Sequence, residues 1–338
     1  MKKILITGGA GYIGSHTAVA LVNSGYEPII VDNFYNSEKS ALEGIKSILG
    51  REVKYYEVDC LDKTGMEKVF QENEFSGVIH FAAYKAVGES TRLPLKYYSN
   101  NIDSLIILLE LMSKYKVKDL VFSSSCTVYG QPKVLPVTEA TPRQDAESPY
   151  GNTKKICEDI LRDFILSGAA SRIVALRYFN PVGAHPSSAI GELPIGVPAN
   201  LIPFVTQTAA GIREKITVFG NDYDTPDGTC VRDYIHVMDL ADAHVKALKY
   251  LSEQKDNFYD IFNVGTGNGN TVLEVIQTFE KVSGQKLNYE IGPRRTGDIE
   301  KVWANTDKIN KILGWEAKYT LEDSMRDSWN WQVKLGKK

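Results

Sequence analysis

Short apolar runs recur through the first half of the chain at residues 3–6, 27–31, 53–58, 77–81, 120–123 and 173–176. Stretches of helical length separate them, beginning with residues 15–24. This rhythm predicts βαβ units and a parallel sheet. Pro28-Ile29-Ile30-Val31 and Val78-Ile79-His80-Phe81 show little polar alternation, as strands covered by helices on both faces should. Beyond about residue 180 the texture changes, and Pro181, Pro186, Pro194, Pro198 and Pro203 interrupt the pattern together with several glycines. Loop-rich structure is expected there, where binding groups commonly sit. The expected division is 1–180 for the sheet and 181–338 for a smaller C-terminal lobe, with some C-terminal segments returning to the first part.

Composition narrows the partners. At 338 residues, with 43% hydrophobic and 24% charged residues, the chain is long enough for a large core and reads as globular rather than disordered. A formal net charge of -3 offers no electrostatic footprint for nucleic acid, so small-molecule partners are expected. The apolar run after Lys2-Lys3 stops at Thr7, too soon for a secretory signal. No stretch approaches the roughly 18 apolar residues of a membrane span, so a cytoplasmic protein without membrane contact is expected. Cys60, Cys126, Cys157 and Cys230 are widely spaced without a C-x-x-C, and His236 and His244 lack an H-E-x-x-H context. Neither a disulfide framework nor a metal site is expected.

Directly after the first strand comes Thr7-Gly8-Gly9-Ala10-Gly11-Tyr12-Ile13-Gly14. Glycines at this spacing allow a tight turn and close approach of the backbone to a pyrophosphate, while the following helix N-terminus supplies N–H groups. The second strand ends at Asp32, about 20 residues on, where a carboxylate accepts adenosine ribose hydroxyls. Its charge would repel a 2′-phosphate, and Asn33-Phe34 follows where an NADP enzyme would want Arg, so NAD is expected. The fold class is therefore α/β, a Rossmann-like doubly wound parallel sheet with a smaller, loop-rich C-terminal substrate lobe. Asp59, Phe81 and Ala82 fall at strand ends facing the same crevice, although a helix N-cap explains Asp59 equally well.

The fifth strand ends in Ser123-Ser124-Ser125, and Tyr150 and Lys154 lie four apart at the start of the helix that follows. That spacing puts phenol and ammonium on one helical face. A free phenol titrates near 10, so a phenol acting as general base needs a neighbouring cation. Lowering it by about three units takes about 4 kcal/mol, within reach of Lys154 and a cationic nicotinamide at short range.

Longer segments carry more information: Gly11-Tyr12-Ile13-Gly14-Ser15-His16-Thr17, Lys85-Ala86-Val87-Gly88-Glu89-Ser90, Arg177-Tyr178-Phe179-Asn180-Pro181-Val182-Gly183-Ala184-His185-Pro186, and Arg232-Asp233-Tyr234-Ile235-His236-Val237-Met238-Asp239-Leu240-Ala241. With these the chain resembles the extended short-chain dehydrogenase/reductase family, and within it the NAD-dependent sugar-nucleotide epimerases, from the glycine motif to Trp329-Asn330-Trp331. The resemblance implies a catalytic group of Ser125, Tyr150 and Lys154. It implies NAD contacts from Gly8, Gly11, Tyr12, Ile13, Gly14, Asp32, Asn33, Asn36, Ser37, Asp59, Cys60, Phe81, Ala82, Lys85, Asn100 and Phe179, joined by the catalytic group. The implied reaction inverts carbon 4 of UDP-glucose or UDP-galactose. Tyr150 takes the 4-hydroxyl proton, carbon 4 gives hydride to NAD, and the 4-keto sugar turns about its pyrophosphate link before hydride returns to its other face. Family dehydratases usually carry an acidic pair after the strand-end serine. This chain has Cys126-Thr127, which disfavours dehydration.

A UDP-sugar needs cations for its phosphates. Arg232 and Arg295 suit them, although pairing with Asp233 or Asp298 is an equally good reading of the residues alone. The resemblance favours binding. It adds Asn180, Asn200, Leu201, Phe219 and Asp298 around the nucleotide, with Lys85, Ser125 and Tyr150 beside the sugar. It also places Val302 near the carbon-2 substituent, where a tyrosine in narrower relatives leaves room only for a hydroxyl, so the N-acetylated pair of sugars is expected to enter as well. The competing reading is a net NAD-dependent sugar-nucleotide oxidoreductase of the same fold. Finally, the segment 102–112 is apolar around more of its circumference than one sheet contact needs, which predicts a homodimer.

Overall fold

The computed structural model describes residues 1–295 and 298–336; Thr296 and Gly297 of the 294–298 motif, and Lys337 and Lys338, lie outside the described residues. The chain begins with β1 (Lys3–Thr7), α1 (Tyr12–Asn23), β2 (Glu27–Asp32), α2 (Ser40–Leu49), β3 (Lys54–Glu57), α3 (Lys63–Glu72) and β4 (Phe75–His80). Then come α4 (Val87–Arg92), α5 (Pro94–Tyr98), a π-helical turn over Ser99–Asp103, α6 (Ser104–Lys114), β5 (Asp119–Ser123), α7 (Pro149–Leu166) and β6 (Arg172–Tyr178). The remainder is β7 (Asn180–Val182), α8 (Leu201–Ala209), β8 (Ile216–Phe219), β9 (Val231–Arg232), β10 (Tyr234–His236), α9 (Val237–Leu251), β11 (Phe258–Val264), β12 (Asn270–Thr271), α10 (Val272–Ser283), β13 (Tyr289–Gly292), β14 (Lys301–Val302), α11 (Asp307–Leu313) and α12 (Leu321–Leu335).

Seven strands form one sheet in the order β11-β6-β5-β4-β1-β2-β3, and every neighbouring pair is parallel. The order turns back at β1, between β2 and β4, which opens a crevice beyond the strand ends at that point. The period of two in each strand feeds two separate cores. Ile4, Ile6, Ile30, Ile79, Val121 and Val174 face α1 and α9, packing with Ala18, Leu21, Leu240 and Leu248. Leu5, Ile29, Val78, Leu120 and Ile173 face α3, α6 and α7, packing with Val69, Leu108 and Leu161. Both faces are thus covered, which is why these strands lack polar alternation.

The edge strand β11 is absent from the strands predicted above. Its Phe-Tyr-Asp-Ile-Phe-Asn-Val pattern is broken by Asp260 and Asn263, each of which is satisfied by a distant partner. Lys308 donates to Asp260 at 2.5 Å, and Asn263 is wholly buried between Tyr129, Glu139 and the Val137 carbonyl. Beyond Tyr178 the strands are short and pair in small sheets: β7 with β10, β8 with β13, and β12-β9-β14. A third core of Val182, Val205, Val218, Val275, Phe279 and Met325 joins α8, α10 and α12 to them.

Candidate active site

The glycine loop leaves β1 at the switch point. Gly8 has φ 69°, and a Cβ there would lie 2.9 Å from the Ala82 nitrogen; one at Gly14 would lie 2.3 Å from the Gly8 carbonyl oxygen. Side chains are excluded so that the loop can fold flat against the end of β4. The first turn of α1 has neither a capping side chain at Gly11 nor an acidic residue, so its N–H groups face the crevice unneutralised. Asp32, at the end of β2, is 8% exposed and accepts from the Ala10 and Phe34 nitrogens at 3.0 and 2.9 Å and from the Ser37 hydroxyl at 2.8 Å. Asp59 accepts from Asn33 at 2.7 Å and from the Leu61 nitrogen at 2.8 Å, while the N-cap of α3 is Asp62. The capping reading of Asp59 is therefore displaced by a bridge between the loops after β2 and β3. Asn33 and Asn36 are exposed on the rim, and Phe81 and Ala82 form its opposite wall. These features fit a dinucleotide: a side-chain-free cradle with free N–H groups for two phosphates, and a fixed carboxylate for a ribose.

Next along the sheet, Ser125 follows the end of β5, and its hydroxyl accepts from the Thr127 nitrogen and hydroxyl at 3.2 and 3.0 Å. Ser148 caps α7 by accepting from the Gly151 nitrogen at 3.2 Å, and Pro149 occupies the first turn. That start fixes Tyr150 and Lys154 one turn apart, both buried, over the end of β5. The ammonium of Lys154 donates to the Ser123 carbonyl at 2.6 Å and lies 5.0 Å from the Phe122 ring centre. Burial lowers its pKa to about 8. The phenol of Tyr150 is pushed well above its ordinary value by burial and by Tyr178, against a hydrogen bond with Ser125 that lowers it. Spacing suggested a phenol depressed by Lys154. In this structure burial wins instead, and the amine is held by a carbonyl.

On the facing side, Arg232, Arg295, Asp298 and Phe219 come together. Arg295 grips Asp298 with two bonds of 2.6 and 3.1 Å and lies 5.5 Å over the Phe219 ring, while Arg232 reaches the same carboxylate at 4.0 Å. Asp233 is not the partner of Arg232. It is fully buried and accepts from the Thr266, Gly267 and Ala304 nitrogens. Val302 stands in register with Arg232 across β14 and β9, 1% exposed, packed with Cys126, Val128 and Phe179. Asn180 opens β7, with its nitrogen donating to the Asp233 carbonyl at 2.9 Å. Asn200 precedes Leu201 at the start of α8 and donates to Glu192 at 2.7 Å.

A family model described as GDP-mannose 4,6 dehydratase matches residues 5–328. The UDP-glucose 4-epimerase of Bacillus subtilis (strain 168) is 54% identical over 329 residues, covering 97% of this chain and 96% of that one. The chain belongs to the UDP-glucose 4-epimerase family. The crystal structure of UDP-glucose 4-epimerase from Bifidobacterium longum in complex with NAD+ and UDP is 50% identical, covers 98% of both chains and has a TM-score of 0.95. That of the Stenotrophomonas maltophila protein with bound NAD and formylated UDP-arabinopyranose is 46% identical, covers 100% of this chain and 99% of the other, and has a TM-score of 0.96.

Several supports of this epimerase-family site carry no local sequence signal. Glu192 draws Lys85 at 3.4 Å as well as Asn200, and its carbonyl accepts from Trp331 at 2.9 Å, so one residue of the proline-rich loop ties both sides of the cleft. In the π-helical turn, Asn101 accepts from the Tyr84 nitrogen and donates to the Tyr84 carbonyl and the Thr153 hydroxyl, while Asn100 donates to its neighbour Asn101. Beneath the end of β5, Glu158 is buried and accepts from Ser124 at 2.6 Å and from Arg177 at 2.8 and 2.6 Å. Only the i+4 spacing from Lys154 hinted that Glu158 faces the site. Tyr12 donates to the Gly183 carbonyl at 2.6 Å, joining the glycine loop to the segment after β7. Cys60 lines the crevice end of the second core, and burial raises its thiol to about 12. Ile13 packs partly onto the first core. All four cysteines are free and buried, and no cluster of metal-ligating side chains occurs among the described residues.

Proposed function

We propose that this chain interconverts UDP-glucose and UDP-galactose, using NAD as a bound hydride acceptor and donor. The observation that carries the reading is the meeting of Ser125, Tyr150 and Lys154 at the end of β5, between the Gly8 to Asp32 crevice and the Arg232–Arg295 pair. NAD supplies the reversible hydride site and, when oxidised, a positive charge. Tyr150 accepts the 4-hydroxyl proton and returns it, and Ser125 holds the same oxygen by a hydrogen bond. Lys154 anchors to Ser123 and favours the phenolate once the cleft is filled. Arg232 and Arg295 take the diphosphate. Gly8, Gly11, Tyr12, Ile13, Gly14, Asp32, Asn33, Asn36, Ser37, Asp59, Cys60, Phe81, Ala82, Lys85, Asn100 and Phe179 hold NAD. Asn180, Asn200, Leu201, Phe219, Asp298 and Val302 hold the UDP-sugar.

Cys126-Thr127 after the catalytic serine speaks against dehydration, despite the description of the matching family model. Protein incubated with UDP-glucose and no added NAD should yield UDP-galactose. Absence of that product overturns the epimerase reading, and stoichiometric consumption of added NAD would establish the oxidoreductase reading in its place.

The lobe division at residue 180 is part of this proposal, with residues 181–338 shaping the sugar site and α9 and β11 lending themselves to the sheet. A cytoplasmic location fits a chain in which no described helix is long and apolar enough to cross a membrane. A homodimer is supported by the groove of Ile106, Leu109, Ile160 and Phe164 between α6 and α7, where Ile106 remains 39% exposed. Sedimentation at micromolar concentration should find twice the chain mass; a 37.6 kDa species alone rejects the dimer.

Substrate breadth turns on Val302. Its place beside Arg232 and its small volume support entry of an N-acetyl group at carbon 2. Val302→Tyr should lower kcat/KM for the UDP-N-acetylglucosamine and UDP-N-acetylgalactosamine pair about tenfold or more relative to the unacetylated pair. The tight packing around Val302 makes overfilling a competing cost of about 1–3 kcal/mol, which a melting curve reads separately. Equal loss on both pairs refutes the gatekeeper role.

A further inference from the structure

Two loops flank the glycine loop because β2 and β4 flank β1 in the sheet. Anything that joins the loop after β2 to the loop after β4 must pass over the end of β1, where the phosphate cradle lies. Such a join exists. The rings of Tyr35, after β2, and Tyr84, after β4, lie 5.1 Å apart. The ammonium of Lys96, on α5, stands over both, 5.0 Å from the Tyr35 ring centre and 4.6 Å from that of Tyr84, and donates to the Tyr35 hydroxyl at 2.9 Å.

The two ends differ in how firmly they are held. Lys96 also donates to Glu89 at 3.0 Å, and Glu89 accepts from the fully buried Tyr97 at 2.7 Å. Tyr84 is pinned through both its backbone nitrogen and its carbonyl by Asn101, at 2.8 and 3.0 Å. This half is rigid. Tyr35 is 55% exposed, and its loop turns at Phe34, a non-glycine residue with φ 55°. Beyond the backbone contact with Asn33 at 3.0 Å, its described anchors are Lys96 and Tyr84. The arrangement is a latch with one free end.

We propose that Tyr35, Lys96 and Tyr84 form a strap across the NAD crevice, and that release of NAD requires Tyr35 to leave Lys96. The inference rests on the NAD reading of the glycine loop and adds retention to it: these residues set how long the cofactor stays between turnovers. No step of the sugar chemistry passes through them.

The test is a chase. Protein loaded with radiolabelled NAD is diluted into excess unlabelled NAD, and label remaining on the protein is followed on filters. Losing a partly exposed cation between two rings should speed release of label by roughly five- to tenfold in Lys96→Met. Tyr35→Leu, at an exposed position that leaves the buried groups untouched, should do the same and serves if Lys96→Met fails to fold. Lys96→Arg, which keeps a cation between the rings, should restore slow release. Lys286→Met, removing a side chain that is 90% exposed elsewhere on the surface, is the control and should match the wild type. If wild-type protein takes up label and the Lys96 and Tyr35 variants release it no faster, the strap is overturned alone. If wild-type protein takes up no NAD, the cofactor reading and the strap fall together.

Discussion

A Tyr150→Phe variant is expected to fold, to bind NAD and UDP-sugar, and to lose between about two and four orders of magnitude in kcat, the usual range for removing a general acid–base group. The reason that folding survives lies in the surroundings of the phenol. Tyr150 is 7% exposed, burial raises its pKa, and the hydrogen bond that counters this comes from Ser125, whose hydroxyl is also held by Thr127. Deleting the oxygen therefore strands little, and a change in stability within about 1.5 kcal/mol is expected. The fall should appear in kcat with KM nearly unchanged, because the proton moves only in the transition state. Turnover within tenfold of wild type refutes the assignment of Tyr150 as the base. A fall that tracks a lowered melting temperature refutes it too.

Acid should destabilise this protein as the pH falls below about 6.5. Burial lowers the imidazole of His16 to about 3, His80 to about 3 and His244 to about 4. In the unfolded chain these side chains return to about 6.5. Between pH 6.5 and about 4 the unfolded state therefore binds protons that the folded state refuses, so stability present above pH 6.5 is lost as the pH falls. Asp119, Asp233 and Asp239 act in the opposite direction. Burial raises their carboxyls, so the folded state takes up their protons first and part of the loss is offset. At pH 5 the three histidines cost the folded state about 2 kcal/mol each, the carboxyls offset part of this, and a lower stability at pH 5 than at pH 7 is expected. Urea unfolding at pH 7 and pH 5 reads it directly; equal midpoints at the two values refute charge exclusion by these sites.

The parts of the site that were legible in the sequence are those that one local rule governs. Gly8, Gly11 and Gly14 follow from backbone geometry alone, Asp32 from its distance along a βαβ unit, and the shared face of Tyr150 and Lys154 from helical spacing. The strand β11 was not legible because its two polar residues are satisfied from α11 and from the loop near residue 137. Those partners are distant in sequence, so the pattern looked like a loop. The direction in which Lys154 points was hidden for a related reason. Spacing places its Cα, but the Ser123 carbonyl, brought up by the end of β5, decides where the ammonium goes. Arg232 beside Asp233 was misleading in the same way. Neighbours along an extended strand face opposite sides, so Asp233 serves the backbone of residues 266, 267 and 304 while Arg232 turns to Asp298.

The return of α9 and β11 to the sheet constrains how the protein can move. The chain passes from the large sheet to the small sheets at Phe179, comes back at His236 where α9 begins against α1, leaves again after Val264 and returns near Asn305 to α11. Hinge closure of the kind seen where one or two strands link two bodies needs a few backbone torsions to absorb the rotation. Here any rotation would have to bend every crossing together, and it would also shear Tyr12 away from Gly183. The small sheets are therefore held in one setting against the large sheet by the backbone itself, with no single hinge to release them.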